Sequence, residues 1–220
     1  MTADGIGGDL RSRRSWLFDL DGTLVDSRAA HERAFRQALE EIAPELLDRF
    51  EYRGGTSTVE TVERLTRDPA LTGEITTRKQ TLYRTAVADG KIQAFAGAIP
   101  LLEILRGEGA VSYLVTSGSR GSVEKVVASH ALMRFLAGVL TGDDVPINKP
   151  DPAIYREARR RWRLRNDDIV VVEDSPFGVS ASLGAGLFTV QVHAKAVESG
   201  AVGIRTLVDL ASLLEGMSNA

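Results

Sequence analysis

Asp19 and Asp21 stand two residues apart, directly after the apolar run Trp16-Leu17-Phe18 and directly before Gly22. Side chains two apart on an extended strand share a face, and the glycine permits a turn that separates their roles. Three further segments carry complementary groups: Thr116-Ser117-Gly118, Lys149, and Glu173-Asp174. Carboxylates brought together repel one another unless a cation lies between them, and an all-oxygen ligand set suits magnesium. A lysine and a hydroxyl beside such an ion meet the needs of a transferring phosphoryl group, whose charge spreads over three oxygens. On this reading one aspartate binds Mg2+ and attacks while the other handles a proton. Mg2+ and Lys149 neutralise charge, and Ser117 with adjacent backbone amides holds the phosphoryl oxygens. The chain has no GxxxxGK[ST] segment, so a nucleotide-binding P-loop is excluded.

These groups can meet only at the carboxyl ends of strands in one sheet, where open α/β folds bind ligands. The patterning supplies such strands at Ser15 to Phe18, Val111 to Thr116, Gly138 to Leu140, Ile169 to Val172 and Leu187 to Val192. Helical segments separate them, among them Ser122 to His130, Pro152 to Trp162 and one that starts at Ser175. This alternation predicts an α/β fold, a Rossmann-like parallel sheet with helices on both faces. Between the first strand and the rest lies an all-helical insert. Ala30, Ala34, Phe35, Ala38, Leu39 and Ile42 recur at helical spacing until Pro44 interrupts them. Arg53-Gly54-Gly55 forms a turn, and Thr56 or Ser57 caps a helix carrying Val59, Val62 and Leu65. A further helix is expected from about Thr76 to Ala88. The expected organisation is a mobile tail over 1–14, an α/β core from 15–27 and 93–220, and a helical cap over 28–92.

The 220 residues include 27 basic and 30 acidic ones, a formal charge of −3, which argues against nucleic acid as a partner. There is no cysteine, so disulfides, thiolate nucleophiles and cysteine-bound zinc are excluded. No apolar run approaches the roughly 20 residues that span a bilayer, and Met1 to Arg14 lacks the apolar block of a signal peptide. The expectation is a cytoplasmic protein without a membrane partner, a monomer or weak homodimer. Arg156, Arg159, Arg160, Arg161, Arg163 and Arg165 read as the solvated side of a helix whose Ala158 and Trp162 face inward. A Glu-Asp pair at a strand end is also a common helix cap, and a lysine before proline a common loop residue. Four such groups at the ends of successive elements favour the chemical reading.

Phe18-Asp19-Leu20-Asp21-Gly22-Thr23-Leu24-Val25-Asp26-Ser27 resembles the first motif of the haloacid dehalogenase-like hydrolase superfamily. Val115-Thr116-Ser117-Gly118, Lys149-Pro150-Asp151-Pro152 and Val172-Glu173-Asp174-Ser175 resemble the other three, in the family's order. The resemblance implies Asp19 as nucleophile, forming an aspartyl-phosphate, and Asp21 as the acid/base. It implies Mg2+ held by Asp19, the backbone carbonyl of Asp21 and Asp174, with Glu173 beside it or behind it. Ser117, or Thr116 one residue earlier, would bind the phosphoryl group with Gly118 adjacent, and Lys149 would stabilise charge. Asn148 stands where the family often has glycine. The insert resembles the helical cap of the branch containing phosphoglycolate phosphatase-like, sugar-phosphatase and β-phosphoglucomutase enzymes. There His31, Lys79 and Arg120 match positions near substrate or hinge. Thr58 stands where the mutase carries an arginine for a second phosphate, although Arg53 nearby offers a substitute. The implied activity is a Mg2+-dependent phosphatase of a sugar, polyol or small-acid monoester, with a phosphosugar mutase as the alternative.

Overall fold

Strand residues that alternate between two apolar environments build the centre of the protein. The computed structural model describes residues 9–216. Its strands β1 (Ser15–Phe18), β4 (Val111–Val115), β5 (Leu136–Leu140), β6 (Ile169–Glu173), β7 (Phe188–Gln191) and β8 (Val202–Gly203) form one parallel sheet in the order β5-β4-β1-β6-β7-β8. Trp16, Phe18, Val170 and Val172 point to one face; Leu17, Val171 and Val115 point to the other. Burial on both faces explains why β6, Ile-Val-Val-Val-Glu, has no polar residue before its last position. Each buried aliphatic side chain there contributes roughly 1.5–3 kcal/mol.

Helices cover both faces, as the alternation of elements predicts. Residues of α4 (Ala98–Gly107), α5 (Arg120–Ser129) and α8 (Leu207–Glu215) join the first cluster. Residues of α6 (Ala153–Trp162) and α7 (Pro176–Gly184) join the second. On α6, Ile154, Tyr155 and Ala158 are buried, Trp162 stacks on Tyr113 at 4.3 Å, and Arg160 and Arg161 pair with Glu157 at the surface. The arginine-rich stretch is thus a solvated helix face.

The segment after β1 is helical throughout: α1 (Arg28–Ile42), a 3-10 turn over Pro44–Arg49, α2 (Thr58–Glu63) and α3 (Pro69–Ala88). Phe35, Leu39, Phe50, Val62, Leu65 and Ile75 pack there into a cluster of their own, while Ala30, Ala34, Tyr83 and Val87 pack into the main core. Ser57 caps α2 through a reciprocal bond pair with Glu60. The chain enters and leaves the segment through an antiparallel ribbon of β2 (Val25–Asp26) and β3 (Gln93–Ala94).

Several expectations are corrected. Helix α3 starts at Pro69 rather than Thr76, because Asp68 accepts from Ala70 N and Leu71 N and proline suits the first turn. Of the expected mobile tail, residues 1–8 lie outside the described residues, but residues 9–14 are docked. Leu10 is fully buried, Arg13 donates to Asp167 O and Ile169 O, and Arg14 N donates to Asp168. β8 and α8 extend the chain's order beyond the last strand the patterning marked. Among the described residues no helix is long and apolar enough to cross a membrane.

Leu10→Ala is expected to lower unfolding stability by about 2 kcal/mol, the lower end for a buried leucine because a terminal segment can detach. Denaturant unfolding followed by circular dichroism measures it; no change would show that residues 9–14 contribute nothing to stability.

Candidate active site

Four strand ends deliver the chemistry to one edge of the sheet. Asp19 follows β1, and Lys149, from the loop after β5, reaches it with Nζ 2.7 Å from Asp19 Oδ1. The same ammonium donates to Glu173 Oε1 at 2.6 Å and to Val115 O at 3.0 Å, so its three donors are all engaged. Tyr155 Oη donates to Glu173 Oε1 at 2.6 Å. Lys149 and Glu173 are fully buried and Asp19 is nearly so. Removing one partner of so buried an ion pair costs about 3–5 kcal/mol.

Asp19, Glu173 and Asp174 offer carboxylate oxygens that all lie within 4.8 Å of one another. Burial raises the Asp19 carboxyl and Lys149 pulls it back, but Glu173 and Asp174 add to the rise, leaving it well above the ordinary value. Burial, and after it Glu173, push Asp174 up to about 7. Lys149 is raised: the charges of Asp19 and Glu173 outweigh its burial. Three acids around one ammonium therefore hold an excess of negative charge, which a divalent cation among these oxygens would offset. Gly22 lets Asp174 come this close to the loop after β1: a Cβ there would lie 2.2 Å from Asp174 Oδ2, and its φ of +93° suits glycine. The donor set fits Mg2+.

The Asp21 side chain turns away from this cluster toward the helical segment. Tyr83 Oη on α3 donates to Asp21 Oδ1 at 2.9 Å, and His31 Nε2 on α1 lies 3.0 Å from the same oxygen. The His31 and Tyr83 rings stack at 3.9 Å. Burial alone would raise the Asp21 carboxyl, but the charge of His31 and the polar groups of His31, Ser27 and Tyr83 beside it hold it below its usual range. Lys79 Nζ lies 2.8 Å from His31 Nδ1; an ammonium only donates, so that nitrogen accepts and the ring proton faces Asp21. Burial lowers Lys79 to about 8.

The hydroxyls differ. Ser117 Oγ donates to Gly55 O of the helical segment, whereas Thr116 Oγ1 accepts from Gly118 N and keeps its own hydrogen available. Asp19, Asp21, His31, Lys79, Thr116, Ser117 and Gly118 line one cavity. Two sequence candidates lie elsewhere. Arg53 is exposed and pairs with Glu51 at 2.7 Å, and Arg120 pairs with Asp144 at 2.7 Å. Each is drawn off by a carboxylate close to it in the fold. Tyr83, Tyr155 and Tyr52 escaped the sequence reading, and Phe35 figures there only as part of an apolar helix face. Tyr83 carried a usable signal, since it follows Lys79 by four residues and so shares its helix face.

A parallel sheet with acid-bearing strand ends and a helical insertion after β1 is the architecture of an α/β enzyme. The chain belongs to the haloacid dehalogenase-like hydrolase family, whose model matches residues 16–192. Protein CbbY of Cereibacter sphaeroides is 31% identical over 184 residues, covering 78% of this chain and 80% of that protein. Hexitol phosphatase A of Escherichia coli (strain K12) is 32% identical over 187 residues, covering 83% and 84%. The crystal structure of CbbY from Rhodobacter sphaeroides in complex with phosphate matches with a TM-score of 0.79 at 25% identity, covering 92% of this chain and 99% of that one.

Gly22→Ala is expected to raise the magnesium concentration for half-maximal activity by about tenfold or more, because the new methyl displaces Asp174. Magnesium titration of the variant checks this, and an unchanged requirement would remove Asp174 from the metal site.

Proposed function

We propose that the protein is a Mg2+-dependent phosphatase of a small phosphorylated metabolite, a sugar, polyol or small-acid monoester, acting through an aspartyl-phosphate. One observation carries the reading: Asp19 is held by Lys149 through Oδ1 inside an acidic cluster, while Asp21 is aimed at the cavity under the helical segment. The phosphatase names of relatives sharing about four-fifths of the chain support it.

Asp19, Asp174 and the main-chain carbonyl of Asp21 would hold the ion, with Glu173 behind them securing Lys149. When bound, Mg2+ supplies charge neutralisation for the carboxylates and for the phosphoryl oxygens. The second oxygen of Asp19, ionised when a divalent cation offsets the acidic cluster, attacks phosphorus as the bond to the leaving oxygen breaks. Asp21, a carboxylate in the resting site, takes up the proton that a phosphate monoanion brings and gives it to the leaving oxygen. Asp21, now a carboxylate, then takes a proton from the water that attacks phosphorus, freeing Asp19 and inorganic phosphate. Thr116 donates to a phosphoryl oxygen with its available hydrogen. Ser117 ties the core to the Gly55 carbonyl, and Lys149 acts by its field and by fixing Asp19. The segment over 28–92 serves as the cap.

A phosphosugar mutase needs a cation for a second phosphate. Thr58 occupies the position where one was sought, and Arg53 is engaged by Glu51. Hydrolysis is therefore preferred. The formal charge of −3 argues against a nucleic-acid partner, and no helix among the described residues is long and apolar enough to cross a membrane.

Asp19→Asn is expected to lower kcat by about a thousandfold or more, and chelation of magnesium to silence the natural protein. Phosphate release from a metabolite panel measures both; full activity in the variant would sink the mechanism. Tyr83→Phe removes a positioning bond to Asp21. It should reduce turnover of alkyl phosphates by about tenfold while affecting p-nitrophenyl phosphate far less, because that leaving group departs without a proton. Equal losses on both esters would assign Tyr83 a purely structural role.

A further inference from the structure

Beyond the phosphoryl site, the molecule offers chemistry that bears on the leaving group, and the inference rests on the phosphatase reading above. Under the helical segment, the cavity is walled by His31, Phe35, Tyr52, Thr56, Thr58 and Lys79. It continues through the shared Thr58 and Ser117 into an outer cleft walled by Ser57, Ser119 and Asn148 with the acids Glu60, Glu63 and Asp143. Lys79 is the one ammonium among the described wall residues of these two spaces. It is already engaged by His31 Nδ1 at 2.8 Å and Thr58 Oγ1 at 3.1 Å, and it lies over the rings of Phe35 at 4.5 Å and Tyr83 at 5.2 Å.

The nearby cations face other ways. Arg53 pairs with Glu51 and Arg120 with Asp144. Arg28 and Lys195 line a different cleft beside Asp174, which shares no wall residue with these two spaces. Of the three cleft acids, Glu60 is engaged by Ser57 N and Oγ, and Asp143 accepts from Arg120 N. Glu63 is exposed at the end of α2 with its carboxylate turned to no donor among the described residues. A leaving group bearing a carboxylate or second phosphate would set like charge against this rim. A run of hydroxyls meets acceptors in the acids, in the oxygens of Ser57 and Ser119, whose own hydrogens go to Glu60 and Ser122, and in the buried Asn148 Oδ1, which has no partner among the described residues.

We propose that the substrate is a monophosphate whose leaving group is an uncharged polyhydroxy alcohol, and that the rim formed by Glu63 and Asp143 rejects leaving groups with a second anionic group. Rates of phosphate release with magnesium, on hexitol 6-phosphate and 6-phosphogluconate, test it. These six-carbon chains differ at the far end by a hydroxymethyl against a carboxylate; p-nitrophenyl phosphate is the common control. The expected kcat/KM is about tenfold or more in favour of the hexitol ester. Glu63→Lys is expected to narrow that ratio by about tenfold, equivalent to about 1.4 kcal/mol, with Asp143→Asn moving it the same way. A ratio at or below one in the natural protein overturns the proposal, as does a ratio that neither variant changes. Phosphate release from none of the three esters would overturn the phosphatase reading instead.

Discussion

Everything at this site depends on a buried ammonium shared between two carboxylates. Lys149 touches Asp19 and Glu173 at 2.7 and 2.6 Å with no solvent exposure of its own. Isolated, such a charge would be costly to bury, and here all three donors of the ammonium have partners. Tyr155 completes Glu173, and Val115 O takes the remaining proton of the ammonium. The contributors come from the end of β1, from β4, β6 and α6, and from the loop after β5, so the constellation exists only when the parallel sheet is assembled. The fold and the chemistry are in this sense one requirement: the sheet brings the charges together, and the charges are tolerable only in the arrangement the sheet imposes.

The second constraint is that the surroundings of Asp21, the proposed acid/base, are completed from outside the sheet. Asp21 belongs to the core, but both groups that touch its Oδ1, Tyr83 and His31, come from the helical segment. Ser117 Oγ donates to Gly55 O across the same boundary. The helical segment thus does more than cover the cavity: its position determines how the Asp21 carboxylate is held. The partly shared core, in which Ala30, Ala34, Tyr83 and Val87 pack with sheet residues, gives that position an apolar anchor.

Much of this was legible from residue order. Strands buried on both faces read as apolar runs, and a polar residue at the end of each run marks the edge where ligands bind. That logic located Asp19, Asp21, Lys149, Glu173 and Asp174, and the spacing of Ala30, Phe35 and Leu39 located α1. What the sequence hid depended on distant partners. Arg120 looks available in a linear reading, and only folding brings Asp144 against it; Arg53, by contrast, has its partner Glu51 two residues away in the chain. The docking of residues 9–14 rests on Leu10 reaching the core, and a short glycine-rich stretch gives no periodicity from which to infer it. The early start of α3 was obscured by Gly73 and Pro69, which discourage a helix in its interior but are accepted in its first turns.

Glu173 and Asp174 show how adjacent residues of like charge come to do different work. As the last residue of β6, Glu173 points into the covered side of the sheet, toward Lys149 and Tyr155. Asp174, just beyond the strand, emerges at the edge beside Thr23, whose Oγ1 donates to it at 3.4 Å. A glycine makes room for each. A Cβ at Gly178, in the first turn of α7, would lie 2.0 Å from the Glu173 carboxyl carbon, and one at Gly22 would lie 2.2 Å from Asp174 Oδ2. Two backbones therefore approach closer than any side chain would allow, one behind the acidic pair and one in front. The inner acid is pressed onto the lysine, and the outer acid is left within reach of Asp19 and Glu173 at the sheet edge. Repulsion between neighbouring carboxylates, which would ordinarily count against such a pair, is what would give the outer one an affinity for a cation.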